Sequence, residues 1–305
     1  MLAPRHWYGF WLSVLTAFMW GILPVAFVLL LDSLDVLSIT WARFAFSTLL
    51  VFWYLRQRGQ VPRLTGFDRR GRLLLLVAIL ALLGNFLLYL KGLEYLNPEA
   101  TVILIQLAPF LLMAGSVLIH GERFGLYEAV GAVLLLLGLG LYFNEKLGVL
   151  LQASGSETLG VVFMVLAALS WSVYGLLQKG LLRSMGSVQL TLLIYGGGTL
   201  ALLLFISPAA FAALGALQWW VLLFCCLNML IGYGAFTEAL RVWEGAKVSA
   251  VIALAPVFTI IGMQAAVSLW PAHFSSSNLN PLAYAGALVV VAGSMLAALG
   301  RGRKR

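Results

Sequence analysis

Apolar residues run along the chain in long blocks, and polar residues gather in the short gaps between them. A hydrocarbon core about 30 Å thick takes roughly 20 apolar residues per helix. That ruler predicts ten spans, at about 8–31, 36–55, 73–93, 98–119, 125–143, 158–178, 187–206, 217–240, 246–269 and 281–299. The connections are short, the longest being the basic stretch RQRGQVPRLTGFDRRGR at 56–72, and no soluble domain fits between them. The first block is longer than a signal-peptide core and lacks a small-x-small exit, so it is expected to stay as a membrane helix.

Composition agrees with this pattern. Hydrophobic residues make up 62% of the chain and charged residues 10%, with a mean hydropathy of +1.01, far from globular usage. The 19 Lys and Arg outnumber the 11 Asp and Glu, yet they lie in loops between apolar blocks rather than on one soluble face, which argues against nucleic acid as a partner. Their placement reports orientation instead. With ten spans and a cytoplasmic N-terminus, the inner segments hold 16 basic residues and the outer loops only Lys91 and Lys146, with Arg43 left inside a span. The positive-inside rule then puts both termini in the cytoplasm. Cys225 and Cys226 are adjacent within an apolar block, a spacing that suits neither a structural disulfide nor a metal site. They are expected to be packing residues, and no cofactor is implied.

The chain aligns with itself. A shift of 147 lays LAPF (107–110) on LAPV (254–257), and a shift of 151 lays LTAFMWG (15–21) on LAALSWS (166–172), matching Trp20 to Trp171. VGAVLLLLG (130–138) also matches AGALVVVAG (285–293). Residues 1–145 and 146–305 therefore read as two five-helix copies. Five is odd, so the second copy enters the membrane from the opposite face. The expected fold is an all-α polytopic membrane protein, with ten transmembrane helices forming two inverted five-helix repeats around a central cavity.

Three prolines fall inside spans, where each removes a backbone donor and crowds the carbonyl four residues back, at a cost of roughly 3 kcal/mol in an ordinary helix. Pro109 and Pro256 are mates in the repeat and are expected to leave the Ile105 and Ile252 carbonyls without their usual partners. Within hydrocarbon such groups are tolerated where protein or a wet cavity satisfies them, so the pair points to a shared cavity. Pro24 in the first span does the same to the Trp20 carbonyl, but its mate is Gly175.

Four stretches carry a resemblance: AFMWGILPV (17–25), TWARFAFSTLLV (40–51), LAPF (107–110) followed by HGERF (120–124), and LAALSWSVYGLLQKGL (166–181). Together they resemble the EamA family of the drug/metabolite transporter superfamily, over nearly the whole chain and most closely its aromatic amino acid exporters of the YddG type. The resemblance implies a bacterial inner-membrane exporter of small metabolites with a central substrate cavity. One departure stands out. VSLWPAHF (267–274) replaces the second-half counterpart of LIHGERF (118–124), so a gating role of Glu122 and Arg123 has no mirror.

Polar and aromatic residues deep in spans are the candidates for holding a small-molecule substrate. Trp171, Tyr174 and Gln178 share a helical face with Ala167; Trp20 shares one with Ser13, Ala17 and Pro24; Asn85 and Tyr89 are four apart, and Gln106 precedes Pro109. Asn228 and Tyr233 come from one later span, on different faces. The eight expected substrate contacts are Trp20, Asn85, Tyr89, Gln106, Trp171, Tyr174, Gln178 and Tyr233, a set suited to the ammonium and carboxylate of an amino acid. The competing role for Asn and Gln is to bridge helices, worth about 1 kcal/mol. Arg43 lies roughly 10 Å inside the second span; a pair with Asp35 or a backbone carbonyl is its expected role, with substrate binding the alternative. Lys91 and Glu238 are repeat mates that serve either as gates, through Glu94 and Arg241, or as rim charges. Gly131, Gly138, Gly286, Gly293 and Gly300 recur every seven residues as a packing seam.

These features favour a secondary transporter of amino acids over an enzyme. The chain has no Walker loop, no His-x-x-x-His, no paired carboxylates within a span and no Gly-x-Ser-x-Gly turn. A passive pore needs no paired kinks. The alternative cargo is a sugar phosphate or nucleotide sugar, but a dianion would call for several cavity cations and only Arg43 qualifies.

Overall fold

The computed structural model describes residues 3–62, 68–120, 125–145, 155–182, 184–243 and 245–302. The expected gating pair Glu122 and Arg123 lies outside them. Every regular element among the described residues is a helix: α1 Ala3–Leu31, α2 Val36–Gln57, α3 Arg69–Tyr95, α4 Pro98–Leu104, α5 Leu107–His120, α6 Leu126–Tyr142, α7 Ser156–Leu181, α8 Ser187–Leu202, α9 Pro208–Ala212, α10 Ala216–Val242, α11 Gly245–Ile252, α12 Ala255–Leu269 and α13 Pro281–Gly302.

Seven of the described segments are long and apolar enough to cross a membrane: Trp7–Leu31, Val36–Gln57, Arg69–Tyr95, Ser156–Gln178, Ala216–Ala239, Lys247–Leu269 and Pro281–Leu299. Pro98–Leu112, Leu126–Tyr142 and Ser187–Leu202 are apolar but shorter. The chain is thus a multi-pass membrane protein. Its outer surface carries Leu49, Trp53, Leu80, Leu136, Leu200, Trp220 and Leu288, all exposed. Exposed side chains of this kind would be a liability in water but are solvated by lipid.

Helix starts follow from capping side chains that accept otherwise orphaned amides. Asp35 Oδ1 takes the Ser38 amide at 2.9 Å, Asp68 takes Gly71 at 2.7 Å, Asn97 takes Ala100 at 2.8 Å and Asn280 takes Ala283 at 2.7 Å. Asp35 is therefore occupied at the start of α2. Cys225 and Cys226 are buried free thiols, as a packing role requires.

The helices pack in matched sets. α1 lies along α10 while α7 lies along α3; α1 meets α12 while α7 meets α5; α2 meets α10 while α8 meets α3. Two further pairs, α2 with α8 and α6 with α13, join counterparts directly. Single side chains repeat the same exchange. Asn85 Nδ2 donates to the Ala167 carbonyl at 2.9 Å, and Asn228 Nδ2 donates to the Met19 carbonyl at 2.6 Å. The Thr48 and Thr199 hydroxyls, 151 positions apart, meet at 3.2 Å.

Contacts along these pairs define two ends of the bundle. Gly9 in α1 lies against Trp243 just after α10, and Gly131 near the start of α6 lies against Ala297 late in α13. These positions make up the terminal end. The opposite, loop end holds the close of α3, the starts of α4 and α7, and the 270–280 segment, where Gly160 packs on Leu96 and Ser277 reaches Glu99.

The α6–α13 crossing is the tightest. A Cβ on Gly138 would lie 2.7 Å from the Val290 amide nitrogen, and one on Gly286 would run into the Tyr142 amide nitrogen. Only glycine lets these two backbones approach so closely. Gly286→Val is expected to destabilise the protein by about 1–3 kcal/mol through overpacking, read as a lower thermal midpoint in detergent; an unchanged midpoint would show that the crossing is not close.

Candidate functional site

Two of these apolar segments are broken. α4 ends at Leu104 and α5 starts at Leu107; α11 ends at Ile252 and α12 starts at Ala255. Pro109 lies in the first turn of α5, and Pro256 in that of α12. The Ile105 carbonyl takes the Ala108 amide at 2.9 Å in a tight turn. Pro24, by contrast, sits within a continuous α1. The two breaks meet: Gln106 Nε2 donates to the Ala253 carbonyl at 3.2 Å across 147 residues, the interval at which the sequence aligns with itself.

Beside this junction lies a cavity of about 910 Å³. Of the eight expected substrate residues, Trp20, Asn85, Tyr89, Gln106, Trp171 and Tyr233 line it. Tyr174 and Gln178 do not. Tyr174 instead packs into the cluster built on Phe44, Leu82 and Ile194, because α7 leaves the cavity wall after Trp171 and the wall passes to α5, α10, α11 and α13. Asn85 and Asn228 line the cavity with their amide nitrogens already spent on the Ala167 and Met19 carbonyls, so both also bridge helices.

Aromatic rings form much of the wall. Trp20 lies 5.1 Å from Tyr233 and 5.5 Å from Phe236, and close packing of its indole nitrogen on Gly232 holds it against α10. The Tyr89 hydroxyl is 3.4 Å from that of Thr101. Phe27 and Phe86 also line the space. Phe27 continues the α1 face of Trp20 by two more turns, a signal present in the sequence that the residue-type search passed over.

Arg43 is 3% exposed and lines the same cavity. Its Nε donates to the Cys225 carbonyl at 3.2 Å. Of its two expected structural partners, the carbonyl is realised and Asp35 is not. Lys91 pairs with Glu94 at 2.7 Å, and Arg241 Nε pairs with Glu238 at 2.7 Å. Each pair spans three residues of one helix at an exposed edge, so neither ties two helices together.

The cavity is closed toward the loop end. α4 packs on α12, α1, α3 and α7 there. Above α4, Ser277 donates to the carboxylate of buried Glu99, with both oxygens at 2.9 Å. Asn280 Nδ2 also reaches Asn144 Oδ1 at 3.0 Å and Glu145 Oε1 at 2.7 Å. Glu99 escaped the sequence reading because it stands beside a helix start, where an acidic residue reads as a dipole partner. Toward the terminal end only part of the matching packing is present: α11 meets α1 and α10, but among the described residues it makes no extensive packing with α5 or α7. Exposed Ser249 of α11 lines the cavity on that side. α4 thus packs on both sides of the loop end, whereas at the terminal end α11 stands parted from α5 and α7.

The EamA-like transporter family matches the chain twice, over residues 7–144 and 158–299. A Haemophilus influenzae protein named "Uncharacterized transporter" is 37% identical over 292 residues, covering 96% of this chain and 95% of its own length. The Escherichia coli K12 protein named "Uncharacterized inner membrane transporter YhbE" is 39% identical over 293 residues, covering 96% of this chain and 91% of its own. A solved structure described as "Crystal structure of protein" matches all of both chains at 19% identity with a TM-score of 0.61, a likeness of fold. With two copies of the family's domain and relatives this similar along almost its full length, the chain belongs to the EamA-like transporter family.

Proposed function

We propose that the chain is a secondary transporter that exports small metabolites, amino acids with neutral or aromatic side chains above all, across the bacterial inner membrane by alternating access. The observation that carries this reading is the cavity built where two broken helices meet at Gln106 and Ala253. In this reading the ten apolar segments are ten spans, divided as 1–145 and 146–305 into inverted five-helix repeats. The exchange of packing partners between α1 with α10 and α7 with α3 supports it. So do the Thr48–Thr199 and Gln106–Ala253 contacts between repeat mates.

The distribution of basic residues supports cytoplasmic termini. The parted end is then cytoplasmic, and the contacts of Glu99 and Asn280 form the outer seal. A cavity open to the cytoplasm at rest suits an exporter, since cargo loads from inside. Trp20, Trp171, Tyr89 and Tyr233 offer faces for a ring or an ammonium, which supports the aromatic amino acid exporters of the YddG type as the nearest functional parallel. The family relatives carry transporter names without a substrate. Sugar-phosphate or nucleotide-sugar antiport is disfavoured by a wall that has one charged residue, Arg43, among the described residues.

Purified protein in liposomes is expected to take up radiolabelled L-phenylalanine or L-tryptophan saturably. Trp171→Ala removes about 2 kcal/mol of ring contact, and a roughly thirty-fold loss in kcat/KM is expected. Exchange of phosphate esters with amino acids ignored would overturn the cargo assignment.

The resting state has its own test. In a C225S/C226S background, Ser249→Cys is expected to react with a membrane-impermeant thiol reagent applied from the side of the termini and to be protected from the other side. Labelling only from the opposite side would overturn the assignment of the open end.

A further inference from the structure

Arg43 is a buried cation that has no counter-ion among the described residues. Its terminal nitrogens have no acceptor among the described residues, where its one hydrogen bond is from Nε to the Cys225 carbonyl. No carboxylate of the described residues forms an ion pair with it. The ionisable groups whose fields reach or feel it are the phenols Tyr89, Tyr195 and Tyr233 and the thiols Cys225 and Cys226. Buried charges in proteins are normally paired, because removing an ion from water is costly unless an opposite charge replaces the lost solvation. Among the described residues none does so here.

What surrounds the guanidinium holds it in one pose. The Arg43 guanidinium carbon lies 4.9 Å from the centre of the Phe27 ring and 4.8 Å from that of Phe86. With an aromatic ring on each of two sides and Nε anchored on α10, the side chain is fixed before any ligand arrives, and the donors left over are those of the two terminal nitrogens. Arg43 lines the cavity, and these nitrogens are the donors it has left to offer there. A planar fork of donors at a cavity wall matches a carboxylate in a bidentate pair.

We propose that Arg43 is the anchor for the carboxylate of the transported molecule, which supplies the missing counter-ion. This rests on the transporter reading above and narrows its substrate class to carboxylates. As the only charged residue of the lining among the described residues, Arg43 balances a monoanion and leaves a dianionic phosphate under-compensated. The rest of the molecule then lies toward the neutral aromatic and amide wall that includes Trp20, Tyr89 and Gln106. Arg43 also joins the two halves, since it links α2 to α10 through the Cys225 carbonyl. Occupancy of its free donors is thereby coupled to the packing of those helices.

The test uses intact protein in detergent, with intrinsic tryptophan fluorescence as the readout. The probes are L-phenylalanine, 3-phenylpropionate (carboxylate, no amine), L-phenylalaninamide (no carboxylate) and phenyl phosphate. Wild-type protein is expected to bind the two carboxylates at least about tenfold more tightly than the amide, the scale of a charge-assisted hydrogen bond. Phenyl phosphate is expected to bind more weakly than 3-phenylpropionate. Arg43→Gln is expected to abolish the preference for carboxylate, and Arg43→Lys to retain part of it.

If Arg43→Gln does not yield monodisperse protein, the wild-type comparison of acid with amide decides alone. Equal affinity for acid and amide, tighter binding of phenyl phosphate, a preference that survives Arg43→Gln, or no binding of either carboxylate would each overturn the proposal. The two readings fail differently. Liposome uptake of L-phenylalanine inhibited equally by the amide leaves the transporter standing and removes the anchor. Arg43-dependent binding of 3-phenylpropionate without amino acid uptake keeps the anchor and removes the amino acid cargo.

Discussion

A backbone group that has lost its helical partner cannot be left facing hydrocarbon, and this constraint organises the whole bundle. The helix breaks near Ile105 and Ala253 free amides and carbonyls within apolar segments, where lipid would offer nothing to bond. The protein answers by turning the two breaks toward each other. Ile105 is satisfied within its own turn, and the Ala253 carbonyl is satisfied by the Gln106 side chain. Around that junction the surrounding helices cannot close completely, and the cavity is the space that remains.

The same logic explains how the neighbours are held. The hydrophobic effect does little to join helices inside a membrane, so close backbone approach and polar bridges carry more of the association. Glycines bring α6 onto α13. Asn85 and Asn228 hang their amides on the backbone of the adjoining helix, and Ser172 does the same on Ala108 at 2.9 Å. These bonds tie α1 to α10, α3 to α7 and α5 to α7. The loop end is closed by the contacts of α4, Ser277 and Asn280, while at the terminal end α11 stands apart from α5 and α7.

Much of this was legible in the sequence because lipid imposes a simple periodicity. The apolar blocks, the self-alignment and the paired prolines follow from apolar length and from where proline falls, although among the described residues seven of the ten expected spans are long enough to cross a membrane. Trp20 and Trp171 were legible because large polar-tipped rings deep in a span have few structural reasons to be there. Tyr174 and Gln178 share the helical face of Trp171, yet a face is a property of one helix and a cavity wall is a property of several; α7 turns into the packed core below Trp171. Glu99 was hidden by its place near a helix start, and its partner Ser277 lies 178 residues away. The situation of Arg43 was only half legible: a carbonyl partner was foreseeable, but not that Phe27 and Phe86 would hold the guanidinium while no carboxylate approached.

The central claim is that two ends of one bundle open in turn around a shared cavity. It is tested most directly by pulsed electron paramagnetic resonance distances in the reconstituted protein, with spin labels at Leu118 and Lys247 across the parted end and at Tyr95 and Ser276 across the sealed end. On addition of transported amino acid, the account predicts a population in which the first distance shortens while the second lengthens. Distances that stay fixed, or that shorten or lengthen together, would contradict it.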